Sequence, residues 1–203
     1  MTEFSTTNLT TIIDLLGTLA FAISGLRWAS RKEFDLFGAY VIGFITAIGG
    51  GTTRDLLLGV TPFWMEDPKY AIVTGIALVA VLIFKRSIIK LDKTLFIFDT
   101  VGLGLFTVSG IDKALELGFP IWICIIMGAV SGSVGGVIRD IIINEVPLLF
   151  RKEVYALASV AGGIVYFVCY QFSGFHPYHE IVAVVTVILV RRLSKIFFSF
   201  THT

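Results

Sequence analysis

The amino-acid sequence predicts an all-α integral membrane protein with seven transmembrane helices, arranged as two inverted three-helix repeats followed by a seventh helix. Three observations carry this prediction. The 203 residues are 56% hydrophobic and only 15% charged, whereas a soluble domain typically has about 25% charged residues. The apolar residues also fall in long runs, and a pattern of glycine, arginine and aspartate occurs twice along the chain. Such a composition and such a repeat are typical of membrane proteins.

The apolar runs are long enough for helices that cross a bilayer. A spanning helix needs about 20 mostly apolar residues, with a range of roughly 17 to 25. Together with their flanks, the runs predict seven spans at residues 9–27, 34–58, 69–85, 94–112, 119–143, 153–172 and 179–197. The chain is therefore predicted to form a single membrane domain over residues 1–203.

The second half of the chain repeats the first at a constant offset of 85 residues. This register pairs Asp14 with Asp99, Gly50 with Gly135, Arg54 with Arg139, Asp55 with Asp140, and Pro62 with Pro147. The repeats are predicted at 9–90 and 94–175, and residues 176–203 hold the seventh helix and the C-terminal tail. Because three spans per repeat invert the second copy, a pseudo-two-fold axis should lie in the membrane plane.

The basic residues predict the orientation of the chain in the membrane. Of 16 Lys and Arg residues, 12 fall in connections on the side opposite the N-terminus, two on the N-terminal side and two within spans. Cytoplasmic loops carry an excess of basic residues. We therefore expect the N-terminus outside and the C-terminus in the cytoplasm.

Two glycine-rich segments are the candidate pathway for a ligand or ion. They comprise Gly49, Gly50, Gly51, Thr52 and Thr53 in span 2, and Ser131, Gly132, Ser133, Gly135 and Gly136 in span 5. Each glycine costs a helix about 1 kcal/mol relative to alanine, so we expect both spans to kink there and to present carbonyl and hydroxyl oxygens. Such oxygens suit a dehydrating monovalent cation, K⁺ or Na⁺. The alternative is close packing of helices through small residues.

Six charged residues within the spans form two predicted clusters. Asp14, Arg54 and Asp55 should lie towards one membrane face, and Asp99, Arg139 and Asp140 towards the other. A membrane-embedded arginine costs a few kcal/mol unless it is paired. We therefore expect Asp14–Arg54 and Asp99–Arg139 pairs, which either gate and line a pathway or serve the structure alone.

Other classes of function are not indicated. We find no catalytic constellation and no cofactor motif, so an enzyme is not expected. The net charge of +1, without a basic patch, gives no indication of a nucleic-acid partner. His176, His179 and Glu180 are expected in a solvated loop rather than a metal site, because Pro177 interrupts their spacing. Membrane lipids are the expected surroundings.

Two three-span repeats, each with a glycine-rich segment followed by Arg-Asp, and a seventh span resemble the prokaryotic trimeric intracellular cation (TRIC) channel family. The resemblance covers nearly the whole chain. It implies a homotrimer in the prokaryotic plasma (inner) membrane, with a pore inside each protomer that conducts monovalent cations, chiefly potassium. It also implies that kinked spans 2 and 5 line the pore.

The two copies differ in detail, which predicts an asymmetric pore lining. Val134 stands where the first copy has Gly49, and Val137 and Ile138 stand where it has Thr52 and Thr53. Two other functions stay open at this point. The first is a secondary transporter of a small amino acid such as glycine, since inverted repeats are common in that class. The second is a membrane scaffold that does not conduct.

Overall fold

The computed structural model describes residues 3–84, 93–151, 154–171 and 178–200. Within these ranges the regular structure is helical, and no strand occurs. The helices are α1 (Glu3–Arg31), α2 (Leu36–Leu58), α3 (Phe63–Glu66), α4 (Lys69–Ile83), α5 (Lys93–Glu116), α6 (Ile121–Ile142), α7 (Ala156–Gln171) and α8 (His179–Phe200), with a 3-10 turn at Leu148–Phe150. The predicted all-α class is therefore confirmed.

Four of the described helices are long and apolar enough to cross a membrane, judged by length and composition. These segments are Thr10–Arg31, Leu36–Leu58, Thr94–Glu116 and Ile121–Ile142. The described parts of α4 and α7 are apolar but have only 15 and 16 residues. At 1.5 Å per residue they extend about 23 Å, less than the hydrocarbon thickness of about 30 Å. The count of seven spans stays a prediction.

Apolar and polar side chains are distributed as in a protein with apolar surroundings. Large hydrophobic side chains such as Leu56, Trp122 and Leu157 are more than 60% exposed. Several charged side chains are instead buried, among them Arg54, Asp55, Asp99, Arg139, Asp140 and Arg191. Soluble monomers rarely expose apolar surface on this scale, so the outer surface indicates contact with lipid.

The turns that end the helices recur at the 85-residue offset. Four of the described residues have a positive φ, namely Glu33 (58°), Gly59 (74°), Gly118 (77°) and Asn144 (57°). In the repeat register Glu33 corresponds to Gly118, and Gly59 corresponds to Asn144. Glycine and asparagine tolerate this left-handed conformation better than other residues. The backbone therefore repeats even where the residue type changes.

The centre of the bundle is a stacked aromatic pair between α1 and α5. The rings of Phe21 and Phe106 lie 5.5 Å apart and are nearly parallel, and both side chains are 1% exposed. Gly17 faces the ring of Phe106, and Gly102 faces the ring of Phe21. Phe21 corresponds to Phe106, and Gly17 to Gly102, in the repeat register. These contacts place α1 and α5 side by side and leave α2 and α6 to pack across them.

Candidate functional site

The glycine-rich segments form the crossing point of α2 and α6. A Cβ atom on Gly50 would overlap the carbonyl oxygen of Ser131, and one on Gly135 would overlap the carbonyl oxygen of Thr46. Both helices run through these segments without interruption, and the kinks expected there stay a prediction. The close-packing alternative describes this crossing, because only glycine lets two backbones approach so closely.

Three of the four hydroxyl groups in these segments are bonded to their own helices. Thr52 donates to the carbonyl of Ile48 at 2.8 Å, Thr53 to that of Gly49 at 2.9 Å, and Ser133 to that of Ala129 at 2.6 Å. Serine and threonine often form such bonds within helices, and these bonds tend to bend the helix slightly. These hydroxyl oxygens can still accept hydrogen bonds, but their hydrogens are already bonded within the helix. Thr52 also accepts a hydrogen bond at 3.0 Å from the indole N–H of Trp64 in α3.

The remaining glycines of both segments make room for neighbouring groups. Gly51 lies against the ring of Phe63, and Gly136 lies against the hydroxyl of Tyr155. Gly132 faces the carbonyl of Leu103 in α5. Gly49 lies beside the α6 backbone, where a Cβ atom would be 3.4 Å from the Cα of Gly135. These segments thus combine tight backbone packing with the placement of two aromatic side chains.

The first charged cluster, here called the Arg54 cluster, consists of Asp14, Arg54, Asp55, Ser109 and Ser131. Arg54 Nε lies 2.7 Å from Asp55 Oδ1. Its Nη1 donates to Ser109 Oγ at 2.9 Å and to Ser131 Oγ at 3.5 Å. The arginine is only 2% exposed, and its ion pair offsets the cost of burying the charge.

The second charged cluster, the Arg139 cluster, consists of Ser24, Asp99, Arg139, Asp140 and Arg191. Arg139 Nε donates to Asp140 Oδ1 at 2.9 Å, and Nη1 donates to Ser24 Oγ at 2.7 Å and to Asp99 Oδ1 at 2.8 Å. Asp99 Oδ2 accepts a further hydrogen bond from Arg191 Nη1 of α8 at 2.7 Å. Each of these side chains is buried, so this end of the bundle is closed by ion pairs.

The two Arg-Asp sequences also organise the loops that follow them. Asp55 Oδ2 accepts a hydrogen bond from the backbone N–H of Phe63 at 2.9 Å. Asp140 Oδ2 accepts one from the N–H of Leu148 at 3.0 Å. Both acceptors lie in the last turn of a long helix, α2 or α6. Both donors directly follow a proline, Pro62 or Pro147. The repeated spacing of Arg, Asp and Pro therefore encodes a carboxylate that bridges a guanidinium group and a short helical turn.

The charge pairing differs from the prediction in the first half. Asp99 and Arg139 form an ion pair as expected. Asp14 and Arg54 do not approach within ion-pair distance, and Arg54 pairs with its neighbour Asp55 instead. Arg54 and Asp55 are adjacent in the chain, so this contact requires no approach of a second helix. Asp14 nevertheless lies beside Arg54, as the predicted depth in the membrane suggested.

A cavity of about 150 Å³ opens next to Asp14, at the end of the bundle where α1 begins. The side chains that line this cavity are Thr10, Thr11, Asp14, Arg54, Phe63 and Ser109, together with Lys113 and Glu116 of α5. Asp14 Oδ1 is buried and has no hydrogen-bond partner among the described residues. The cavity is therefore lined by side chains of both charges, among them a carboxylate with one oxygen that has no hydrogen bond.

Sequence reasoning missed Arg191 because this residue lies outside the repeat. Its position near the end of span 7 suggested a cytoplasmic connection, but the side chain is 2% exposed and contacts Asp99. One serine of each cluster also follows the repeat register, because Ser24 corresponds to Ser109 at the 85-residue offset. A serine at a fixed offset from a repeated buried arginine is the pattern that identifies them.

A third polar cluster joins α5, α7 and α8. The hydroxyl of Tyr166 donates to Asp112 Oδ1, and His179 Nε2 lies 3.2 Å from the same hydroxyl. His179 is 8% exposed and begins α8, so its expected place in a solvated loop is wrong. Glu180 is likewise part of α8. His176 lies outside the described residues.

One ion pair outside the predicted spans links two loops. Lys32 Nζ, at the exit of α1, lies 2.8 Å from Glu145 Oε1, at the exit of α6. The hydrogen bond from Lys32 lowers the pKa of the Glu145 carboxyl below its usual value. Because both side chains are partly exposed, water screens the interaction.

Comparisons with known proteins identify the family. A family model described as a glycine transporter matches residues 11–86 and again residues 96–171. A UPF0126 membrane protein from Vibrio cholerae is 42% identical over 160 residues, which cover 78% of this chain and 67% of that protein. The UPF0126 inner membrane protein YadS from Escherichia coli K12 is 38% identical and is covered to 77%. The chain is accordingly an integral inner membrane protein.

Solved structures resemble this chain over more than nine tenths of its length. The TRIC trimeric intracellular cation channel orthologue from Rhodobacter sphaeroides aligns with a TM-score of 0.87 at 33% identity, covering 93% of this chain and 98% of that one. A prokaryotic TRIC channel crystallised in 0.5 M KCl aligns with a TM-score of 0.86 at 30% identity, covering 95% and 98%. Both halves also match the family model described as a glycine transporter, and this chain belongs to the prokaryotic TRIC channel family.

Proposed function

We propose that this protein is a channel for monovalent cations that prefers potassium, with a separate pore inside each protomer of a homotrimer. The observation that carries the proposal is the similarity to TRIC cation channel structures over more than nine tenths of the chain. The two alignments cover 93% and 95% of this chain. Similarity confined to a few helices would have supported the fold alone.

The arrangement of polar groups supports a path along the α2–α6 crossing. The Arg54 and Arg139 clusters are attached to the C-terminal halves of α2 and α6, and the backbones meet between them at Gly50 and Gly135. The backbones touch there, so a conducting state requires the two helices to move apart or a path beside the crossing. Carbonyl and hydroxyl oxygens of these segments are the ligands we propose for a passing cation.

Contacts between the halves support the inverted repeat. Arg54 donates to Ser109 in the second half, and Arg139 donates to Ser24 in the first half. The two bonds are equivalent at the 85-residue offset, as expected for a pseudo-two-fold axis that exchanges the halves. With this axis in the membrane plane and basic residues at the cytoplasmic face, we place the N-terminus outside and the C-terminus inside.

A flux assay in liposomes tests the proposal. The purified protein is reconstituted into vesicles loaded with KCl, and K⁺ efflux is measured after dilution into N-methylglucamine chloride with a protonophore, so that H⁺ enters as K⁺ leaves. We expect a passive, rapid K⁺ efflux that does not saturate at millimolar K⁺. Vesicles loaded with choline chloride instead of KCl should show no such cation efflux. Protein-free vesicles are the control. Efflux no faster than in these vesicles contradicts the channel.

The cavity at Asp14 favours a second candidate, a transporter of a small zwitterion. Carboxylates (Asp14 and Glu116) and cations (Arg54 and Lys113) surround one space of about 150 Å³, which suits the two charges of an amino acid such as glycine. The same vesicles distinguish the candidates. Saturable uptake of labelled glycine without K⁺ efflux supports the transporter, and K⁺ efflux without glycine uptake supports the channel.

A further inference from the structure

The cavity at Asp14 occupies the position that a side chain fills in the other half of the protein. At the 85-residue offset, Asp14 corresponds to Asp99, Arg54 to Arg139, Ser109 to Ser24 and Thr11 to Phe96. The first member of each pair lines the cavity. The second members surround or contact the Arg139 and Arg191 guanidinium groups. The two places are therefore equivalent sites with different contents.

In the second half the occupant is the guanidinium group of Arg191. It donates to Asp99 Oδ2 at 2.7 Å, and its central carbon lies 4.9 Å from the ring centre of Phe96 and 4.5 Å from that of Tyr155. Carboxylate and aromatic faces are the usual surroundings of an organic cation. This half of the molecule therefore contains a formed cation site that the chain itself fills.

In the first half this cation is missing from the described contacts. Arg191 comes from α8, which follows both repeats, and the residue 85 positions earlier is Phe106 in α5. Thr11 takes the place of the Phe96 ring, which leaves more room. Asp14 Oδ1 is buried without a hydrogen-bond partner. A buried carboxylate oxygen without a hydrogen bond is costly, and a bound cation would offset this cost.

The formal charges agree with this comparison. In each cluster two carboxylates surround one repeated arginine: Asp14 and Asp55 with Arg54, and Asp99 and Asp140 with Arg139. Each group thus has a formal charge of −1, and Arg191 neutralises only the second. Lys113 and Glu116 also border the cavity, but their charges cancel.

We propose that the cavity at Asp14 is a binding site for a monovalent cation, and that the Arg191 guanidinium is the tethered occupant of the equivalent site at Asp99. This inference rests on the proposed cation channel, since the bound ion would be the permeant one. Under this proposal the two ends of the ion path differ in whether a mobile ion can enter. The end near the start of α1 exchanges ions with the solution, and the end near Asp99 is held closed by Arg191.

Free guanidinium is the natural probe, because the second site already binds this group. In planar bilayers with symmetrical KCl, millimolar guanidinium chloride added on the side where α1 begins should reduce the single-channel current. Addition on the other side should have little effect. Asp14→Asn keeps the shape but removes the charge and should weaken the block at least tenfold. Arg191→Gln should produce a new block from the opposite side and raise the open probability.

Arg192→Gln is the matched control, because Arg192 is the exposed neighbour of Arg191 on α8. It should behave as the unmodified protein in every measurement. Equal block from both sides in the unmodified protein would overturn the proposal. The same holds for an unchanged block in Asp14→Asn, or for equal behaviour of the Arg191→Gln and Arg192→Gln variants.

A binding measurement separates this inference from the proposed function. Thermal unfolding of the detergent-solubilised protein is followed with 10 mM guanidinium chloride or 10 mM N-methylglucamine chloride. Guanidinium should raise the Tm by about 3 °C, as expected for a ligand at roughly ten times its Kd. The rise should vanish in Asp14→Asn and increase in Arg191→Gln. This pattern in a protein that does not conduct would support the site and refute the channel. No rise in a conducting protein, or a rise with glycine alone, would refute the site.

Discussion

Replacing Gly50 with alanine tests whether the α2–α6 crossing is a close backbone contact. The added Cβ would overlap the Ser131 carbonyl oxygen and lie 2.9 Å from the carbonyl carbon. Because these are backbone atoms, no side-chain rotation relieves the overlap, and the two helices must separate. Overpacking of this kind costs typically 1–3 kcal/mol, and a rigid contact favours the upper end. The gain in helix propensity returns about 1 kcal/mol, so the net loss is about 2 kcal/mol.

Gly75→Ala is the matched control for this change. Gly75 lies in α4, and a Cβ there would meet no atom within 4 Å. The same substitution should therefore stabilise the protein by up to about 1 kcal/mol through helix propensity alone. The two variants are chemically identical changes with opposite expected signs.

Thermal unfolding in detergent, followed by size-exclusion chromatography of the soluble fraction, measures both effects. For a chain of 150–250 residues, 1 kcal/mol shifts the Tm by about 2–4 °C. Gly50→Ala should therefore lower the Tm by about 4–8 °C, and Gly75→Ala should raise it by up to about 4 °C. If both variants shifted the Tm upwards alike, the helices would not be in backbone contact at Gly50.

The remaining predictions concern the clusters and turns. Asp99→Asn should destabilise the protein by about 3–5 kcal/mol, because it leaves two buried guanidinium groups without their shared carboxylate. Asp14→Asn should change stability by less than about 1 kcal/mol and reduce K⁺ flux. Equal Tm values for the two variants would contradict the difference in pairing. Gly59→Ala should cost about 1–2 kcal/mol in the same unfolding assay, because Gly59 has φ = 74° and a Cβ disfavours that region. Lys32 lowers the pKa of Glu145, so their pair should stabilise the protein above the usual glutamate pKa and lose this effect as the pH falls through the lowered value. The stability difference between the protein and its Glu145→Gln variant should therefore shrink on acidification, and a difference that grows would refute this sign.

Much of the site was predictable because the chain contains it twice. One buried arginine within a span suggests little, but Arg54 and Arg139 at equal offsets from glycine, aspartate and proline indicate a selected arrangement. The grouping of Asp14 with Arg54, and of Asp99 with Arg139, followed from the depth of each residue along its span. Depth along a helix is set by the rise per residue, so it can be read from the sequence.

The contacts within each group were less predictable, since they depend on side-chain direction. The sequence suggested an Asp14–Arg54 pair, but the guanidinium of Arg54 reaches the adjacent Asp55 instead. The glycines suggested kinks in α2 and α6, because propensity scales penalise glycine within helices. In the bundle, the backbone contact between Gly50 and Ser131 requires glycine in an unbroken helix. Tertiary packing thus outweighed local propensity.

Arg191 was not recognised because it has no repeat partner and lies among basic residues that indicate topology. Its burial results from the packing of α8 against α5 and α7, which no local pattern encodes. The nearby Arg192 and Lys195 are exposed, so basic character alone does not separate the buried residue from its neighbours. Only the angular position of Arg191 on α8, facing Asp99, distinguishes it.

Single-channel recording under a KCl gradient tests the central claim most directly. The purified protein is incorporated into a planar bilayer with unequal KCl concentrations on the two sides. A cation-selective channel should give discrete current steps whose reversal potential lies near the potassium equilibrium potential. Reversal near the chloride potential, or no current from a protein that takes up glycine in vesicles, would contradict the account.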